Sequence, residues 1–150
     1  MSSAQILIHC TSEFSNGQMM AGYIRFYAEE QLRVQLVNGQ VHHTHPLAIQ
    51  VMKEDGIDIS ADEFLSADEA RTIAADLVLE VMTMGQHSYR ALEQVHATET
   101  KTLSFPSPMN STAYDQVLED FRSLREDIKK AAIGLVGEFL YQDRSMDRSS

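Results

Sequence analysis

The chain has 150 residues, 43% of them hydrophobic and 23% charged, which suits one soluble globular domain whose core is large enough to need no staples. With 12 Lys and Arg against 22 Asp and Glu, the formal net charge is -10, a field that repels nucleic acid and anionic membranes and favours solubility. Cys10 is the single cysteine, so an intramolecular disulfide and a multi-cysteine metal site are excluded, and no run reaches the roughly 18 apolar residues of a membrane span.

The opening MSSAQ has no basic segment ahead of an apolar stretch, so no signal peptide is expected and the cytoplasm is the expected compartment. Ile6-Leu7-Ile8 is a short β-branched run of the kind buried in parallel sheets. From Gln18 to Arg33 the apolar residues Met19, Met20, Tyr23, Ile24, Tyr27 and Leu32 recur at helical spacing. Arg33 to Val37 alternates as a second strand, and Asn38-Gly39 ends it in a turn. Pro46 suits the first position of a helix through HPLAIQVMKED, and Gly56 suits the position just past its end. Ser60 and Asp62 can cap a shorter, interrupted helix through DEFLSADEARTIA.

DLVLEVMT is the most strand-like run in the chain. HSYRALEQV returns to helical spacing, KTLSF reads as a further strand, and SFPSPMNST as a loop. Tyr114 to about Leu140 repeats apolar residues as one long helix, with Gly134 or Gly137 as points for a kink and a frayed tail over 141–150. Strands alternating with helices imply right-handed βαβ units and a parallel sheet covered on both faces, all in one domain over 1–150. A ligand site in such a sheet lies at the carboxyl ends of the strands, where their order reverses. The stretch after the first strand, HCTSEFSNGQMM, occupies that kind of position.

Several blocks carry a resemblance. The first strand ends in Cys10-Thr11, and after a loop come Gln18-Met19, Ala21 and Gly22. This is similar to the opening C-T-G-N-x-C-R-S-Q-M-A-E-G of the low-molecular-weight protein tyrosine phosphatases and the arsenate reductases of the same fold. HPLAIQVMKEDGIDIS resembles that family's helix followed by G-I-D-x-S, and ADLVLEVMTMGQH its strand D-L-I-L-x-M-T-x-x-H. FPSPM falls where the family has an Asp-Pro loop before the last helix. The resemblance runs in order over about residues 5–140. It implies a three-layer α/β/α fold with a four-stranded parallel sheet in the order 2-1-3-4.

In that family a Cys thiolate attacks a phosphoryl group, backbone amides and an Arg bind its oxygens, and an Asp before a Pro protonates the leaving group. The thiolate needs a lowered pKa, the dianion a bidentate cation and a nest of donors, and a poor leaving group a positioned acid. Carried over by position, the nucleophile is Cys10 and Thr11 matches. The family's loop Gly is Ser12, its Asn is Glu13, and its loop Cys is Ser15, with Phe14 at the variable position between them. The Arg is Asn16, the Ser that hydrogen-bonds the thiolate is Gly17, and the Asp of Asp-Pro is Ser107. The anion-binding loop would therefore be Thr11 to Gly17.

These departures are electrostatic. Losing the Arg and gaining Glu13 changes the local charge by two units, each worth roughly 3 kcal/mol at about 5 Å and a dielectric near 20. That disfavours a bound dianion and raises the thiol pKa, and a missing general acid costs a further 10²–10⁴-fold, roughly. A thiol relay of the reductase type lacks its further cysteines; Met84 stands about where one is expected.

Two function classes follow. One is a phosphatase-fold protein without phosphatase activity, a pseudophosphatase that binds a small anion, a phosphoprotein or another protein, with Phe14 at the rim of the site. The other is a cysteine-dependent phosphatase or related enzyme with an altered substrate. No cofactor or metal is expected, since HHTH at His42, His43 and His45 reads as a solvated loop and His87 as a helix-start residue. His9 neighbours Cys10 and faces the opposite side of the strand, so it is a poor base for the thiol. A homodimer is compatible with the sequence.

Overall fold

The structure is a computed structural model that describes residues 4–39, 43–86 and 95–149, with side chains described as far as Tyr141. Strand β1 (Ala4–Cys10) leads into helix α1 (Asn16–Ala28), a 3₁₀ turn (Glu29–Gln31) and strand β2 (Leu32–Asn38). Helix α2 (Pro46–Glu54), the two-residue strand β3 (Phe64–Leu65) and the short helix α3 (Ala67–Ala70) follow. Strand β4 (Ala75–Thr83), strand β5 (Ala97–Phe105) and the long helix α4 (Tyr114–Ser149) complete the order.

All pairings are parallel, and the sheet order is β3-β2-β1-β4-β5. The sheet thus has five strands where four were expected. The addition is Phe64–Leu65, which pairs with Leu36 and Val37 on the outer edge of β2. Two residues are too few to carry an alternation, so that strand had no signature of its own. The other four strands stand in the expected order. The chain leaves β1 toward β2 on one side and returns to β4 on the other, so the order reverses at the carboxyl end of β1.

Alternation along the strands divides the core into two clusters. Ile6, Ile8, Leu36, Leu77, Leu79 and Val81 face α1, α2 and α4. Leu7, Val37 and Val78 face the other way, against Ala70, Ile73 and Val95. Helix α4 meets the first face along Val117, Phe121, Leu124, Ile128, Ala132 and Leu135, a stripe with steps of three and four residues. Arg125 fastens α4 to α2: its guanidinium donates to the Val51 carbonyl at 2.9 Å and to Glu54 at 2.6 Å.

Several boundaries differ from the sequence expectation. The first helix stops at Ala28 rather than Arg33 because Glu29 takes a positive φ of 52°, and Leu32 and Arg33 join β2. The cap expected at Ser60 or Asp62 is instead Ser66, which forms a reciprocal capping box with Glu69 at the start of α3. Strand β5 starts at Ala97, ahead of KTLSF. Helix α4 passes through Gly134 and Gly137 and runs to Ser149. HSYRALEQV, His42 and His87 lie outside the described residues, apart from Val95.

Candidate functional site

The loop after β1 connects a central strand to α1 at the point of strand reversal, as the sequence indicated. Ser15 is the N-cap of α1 and adopts a left-handed conformation (φ 64°, ψ 31°), which turns the chain sharply into the helix. Its hydroxyl accepts a 2.9 Å bond from the His45 amide, and the His45 ring in turn caps α2 by accepting from the Leu47 amide at 3.1 Å. The α1 and α2 entries are thereby tied together at the site.

Cys10 closes β1 and is 4% exposed. Its thiol is directed back toward the Ile8 carbonyl, at 3.7 Å, among the apolar residues under α1. Gly17, in the first turn of α1, lies directly against it. A Cβ at position 17 would sit 2.7 Å from the Cys10 sulfur and 3.2 Å from the Ile8 side chain. The family's serine at this position has no room with the thiol where it is. Burial pushes the Cys10 thiol far up from its ordinary range, the nearby Asp62 adds to this, and Arg25 offsets a part. Asp62 is itself raised by burial, eased by the bond from Gln18 and by Arg25. Burial and the neighbouring carboxylate both suppress the thiolate form.

Asn16, at the Arg position, is fully buried, and its amide donates to the Met82 carbonyl at the end of β4, 3.1 Å away. Its carbonyl oxygen is buried without a partner. Ser12 is buried as well: its hydroxyl lies 2.8 Å from Thr83 Oγ1 and accepts from the Phe14 amide at 3.2 Å, while its carbonyl accepts from the Ser15 amide at 3.3 Å. Two of the amides expected to form an anion nest, those of Phe14 and Ser15, therefore bond within the loop. Phe14 is not an exposed rim residue. It is 7% exposed and packs edge-on against Phe121, 6.2 Å away between ring centroids, with His45 at 6.1 Å. An aromatic ring this close to α4 buries its area in the core rather than offering it to a partner.

Gln86 has a role that the residues alone did not announce. Its amide donates to the Thr11 carbonyl at 2.8 Å and accepts from the Thr83 amide at 3.1 Å, so it bridges the ends of β1 and β4. Its one sequence signal is its place in the M-T-x-x-H-like block. Above this bridge lies a cleft of about 490 Å³ lined by Thr11, Glu13, Phe14, Thr83, Met84, Gln86 and Ser107. Glu13 is exposed and is the one charged residue among the described residues that line the cleft. Ser107, at the family's Asp position, reaches the far wall; its hydroxyl accepts from the Met109 amide and its carbonyl from the Asn110 side chain. The structure thus brings Thr11, Glu13, Phe14 and Ser107 to one cleft, whereas Cys10, Asn16 and Gly17 are buried and do not line it.

His9 faces the opposite side of the sheet from Cys10, as strand alternation requires. It is buried against Glu80, 3.4 Å away, and burial lowers its pKa more than the carboxylate raises it. His45 is lowered by burial and by His43, partly offset by Glu13. Among the described residues no cluster of three or more His, Cys, Asp or Glu could hold a metal ion, and no helix is long and apolar enough to cross a membrane.

No protein-family model matches the sequence, and no curated protein matches it. Solved structures do match in fold. An arsenate reductase in the phosphate binding state superposes with a TM-score of 0.68 at 21% identity, covering 90% of this chain and 98% of that one. The arsenate reductase of Archaeoglobus fulgidus DSM 4304 gives 0.66 at 13% identity over 88% of this chain and 98% of its own. Vibrio vulnificus Wzb, solved in complex with benzylphosphonate, gives 0.63 at 18% identity over 90% and 98%.

Proposed function

With the fold of the arsenate reductases and low-molecular-weight phosphatases as its frame, we propose that this chain is a phosphatase-like protein without phosphatase chemistry. It acts by binding, and what it binds is a protein partner at the cleft over loop 11–17. The observation that carries this reading is the direction of the Cys10 thiol, turned toward the Ile8 carbonyl into space left by the missing side chain at Gly17. So placed, the thiol is not among the groups that line the cleft.

Further features support it. Asn16 bonds to β4 and holds no charge for a dianion, Glu13 repels one, and Ser107 cannot act as a general acid at neutral pH. Two loop amides that would receive oxyanion oxygens are already engaged. The cleft that remains is polar, with its one described charge negative, which suits neutral or cationic groups of a protein surface better than phosphate.

The test is a thermal-shift series with phosphate, sulfate, arsenate and vanadate at millimolar concentration, on wild type and Cys10→Ser. No stabilisation by any of the four is expected. Stabilisation by vanadate that disappears in Cys10→Ser would overturn the reading, because it requires a thiol that faces the cleft.

A further inference from the structure

The two edges of the sheet are managed differently. On one side β3 ends the sheet with two residues, too short to template another strand. On the other, β5 is nine residues long and has no strand partner on its outer edge among the described residues. Its sequence ATETKTLSF has no Pro, and its threonines at 98, 100 and 102 favour extended backbone. Thr98, Glu99, Thr100, Thr102 and Ser104 are exposed. A regular edge of this length presents a row of backbone donors and acceptors to any strand that fits.

The charges on that edge say what fits. Glu99 and Lys101 flank Thr100 and share a face of the strand, with the Lys101 ammonium 3.7 Å from Glu99 and 3.3 Å from Glu138 of α4. If a second copy of β5 is laid antiparallel with Thr100 opposite Thr100, then Glu99 faces Lys101 and Lys101 faces Glu99. Thr98 then meets Thr102, and Ala97 meets Leu103. The Glu–Lys and Thr–Thr pairs among these are types that stabilise antiparallel ladders. Moving the axis by one residue destroys the match, since it sets Glu99 or Lys101 opposite itself. An in-register parallel pairing does the same at both positions.

We propose that β5 is a self-association edge: two copies of this chain join their β5 strands antiparallel about a two-fold axis at Thr100, continuing one sheet through both. Such an isologous contact closes on itself and leaves no free edge at that side. The axis stands perpendicular to the sheet, so the α4 helices of the two copies lie on the same face, across the seam. The α4 face that neighbours Lys101 through Glu138 carries Gly134, Gly137 and Tyr141, all exposed. A Cβ at either glycine would meet nothing within 4 Å in the chain itself. Smooth helix surface beside the seam admits the second copy.

The experiment is the mass of the full chain by light scattering and sedimentation at several concentrations, with circular dichroism to confirm that each variant is folded. A dimer is expected at about 100 μM, with the dissociation constant raised about tenfold or more by Glu99→Lys, which sets like charges together twice per dimer. Adding Lys101→Glu to that variant should restore the dimer toward wild type. Mild oxidation should crosslink Thr100→Cys, whose thiol faces its own symmetry mate, far more than Thr98→Cys; buried Cys10 does not compete. A monomer at all concentrations overturns the proposal. So does a dimer indifferent to Glu99→Lys, or crosslinking equal at the two cysteine positions.

Discussion

Gly17→Ala separates a thiol packed in the core from one facing the cleft. The new Cβ would stand 2.7 Å from the Cys10 sulfur and 3.2 Å from Ile8 Cγ2. Comfortable contacts lie at about 3.5–4.0 Å, so something must move by about an ångström. The backbone gives little, because β1 is the central strand, hydrogen-bonded on both sides, and the first turn of α1 is pinned through Asn16 and Ser15, so the shift falls on the thiol and the Ile8 methyl. Overpacking of this kind costs about 1–3 kcal/mol. Replacing a helical glycine by alanine returns up to about 1 kcal/mol. The net loss expected is about 1–2 kcal/mol, or a fall in Tm of about 2–8 °C for a chain of this size.

Urea unfolding and thermal melts of Gly17→Ala, Cys10→Ala and the double variant read it out. In the Cys10→Ala background the sulfur is gone while the helix gain remains, so Gly17→Ala should become neutral or mildly stabilising there. The two changes must therefore be non-additive by about 1 kcal/mol or more. If Gly17→Ala is harmless in the wild-type background, or if the two effects simply add, the thiol does not occupy the space beside Gly17 and the reasoning fails.

Three other outcomes are expected. Cys10 should react with a chromogenic disulfide at least about a hundredfold more slowly in the native protein than after unfolding in urea, because the thiolate is suppressed and shielded; native reaction within the mixing time would contradict this. Asn16→Arg with Ser107→Asp, which restores the family's charged residues, should lower stability by about 3–5 kcal/mol in a denaturant titration, since the guanidinium enters a fully buried site without a paired carboxylate. Acidification should lower Tm. His9 and His45 have folded pKa values below the ordinary one, so the unfolded chain takes up protons first, and stability falls as pH drops from about 7 through the folded values. His9→Gln should flatten that slope in melts between about pH 7 and 5, and an unchanged slope would remove His9 from the account.

Much of the frame was legible in the residues because it rests on periodicity. The alternation of Leu77, Leu79 and Val81, and the steps of three and four along α4, hold wherever a sheet face or helix stripe must be buried. What escaped was set by tertiary context. Glu29 bends the chain out of α1 with a positive φ although neither Gly nor Asn announces it. Strand β5 begins four residues early because Ala97 to Thr100 pair on an exposed edge, where hydrophobic alternation is not needed. At the site, loop position and the neutral residue at Asn16 could be read from the sequence. The burial of Phe14, the Asn16 bond to Met82 and the bridge by Gln86 could not, because each depends on where β4 and α4 come to rest.

Steady-state hydrolysis of an activated aryl phosphate by wild type and Cys10→Ser decides whether the Cys10 thiol does phosphatase chemistry. Both proteins should give the same residual rate, indistinguishable from buffer, because the sulfur faces Ile8 and Gly17 and no cation is among the described residues lining the cleft. Turnover by the wild type that vanishes in Cys10→Ser would contradict it.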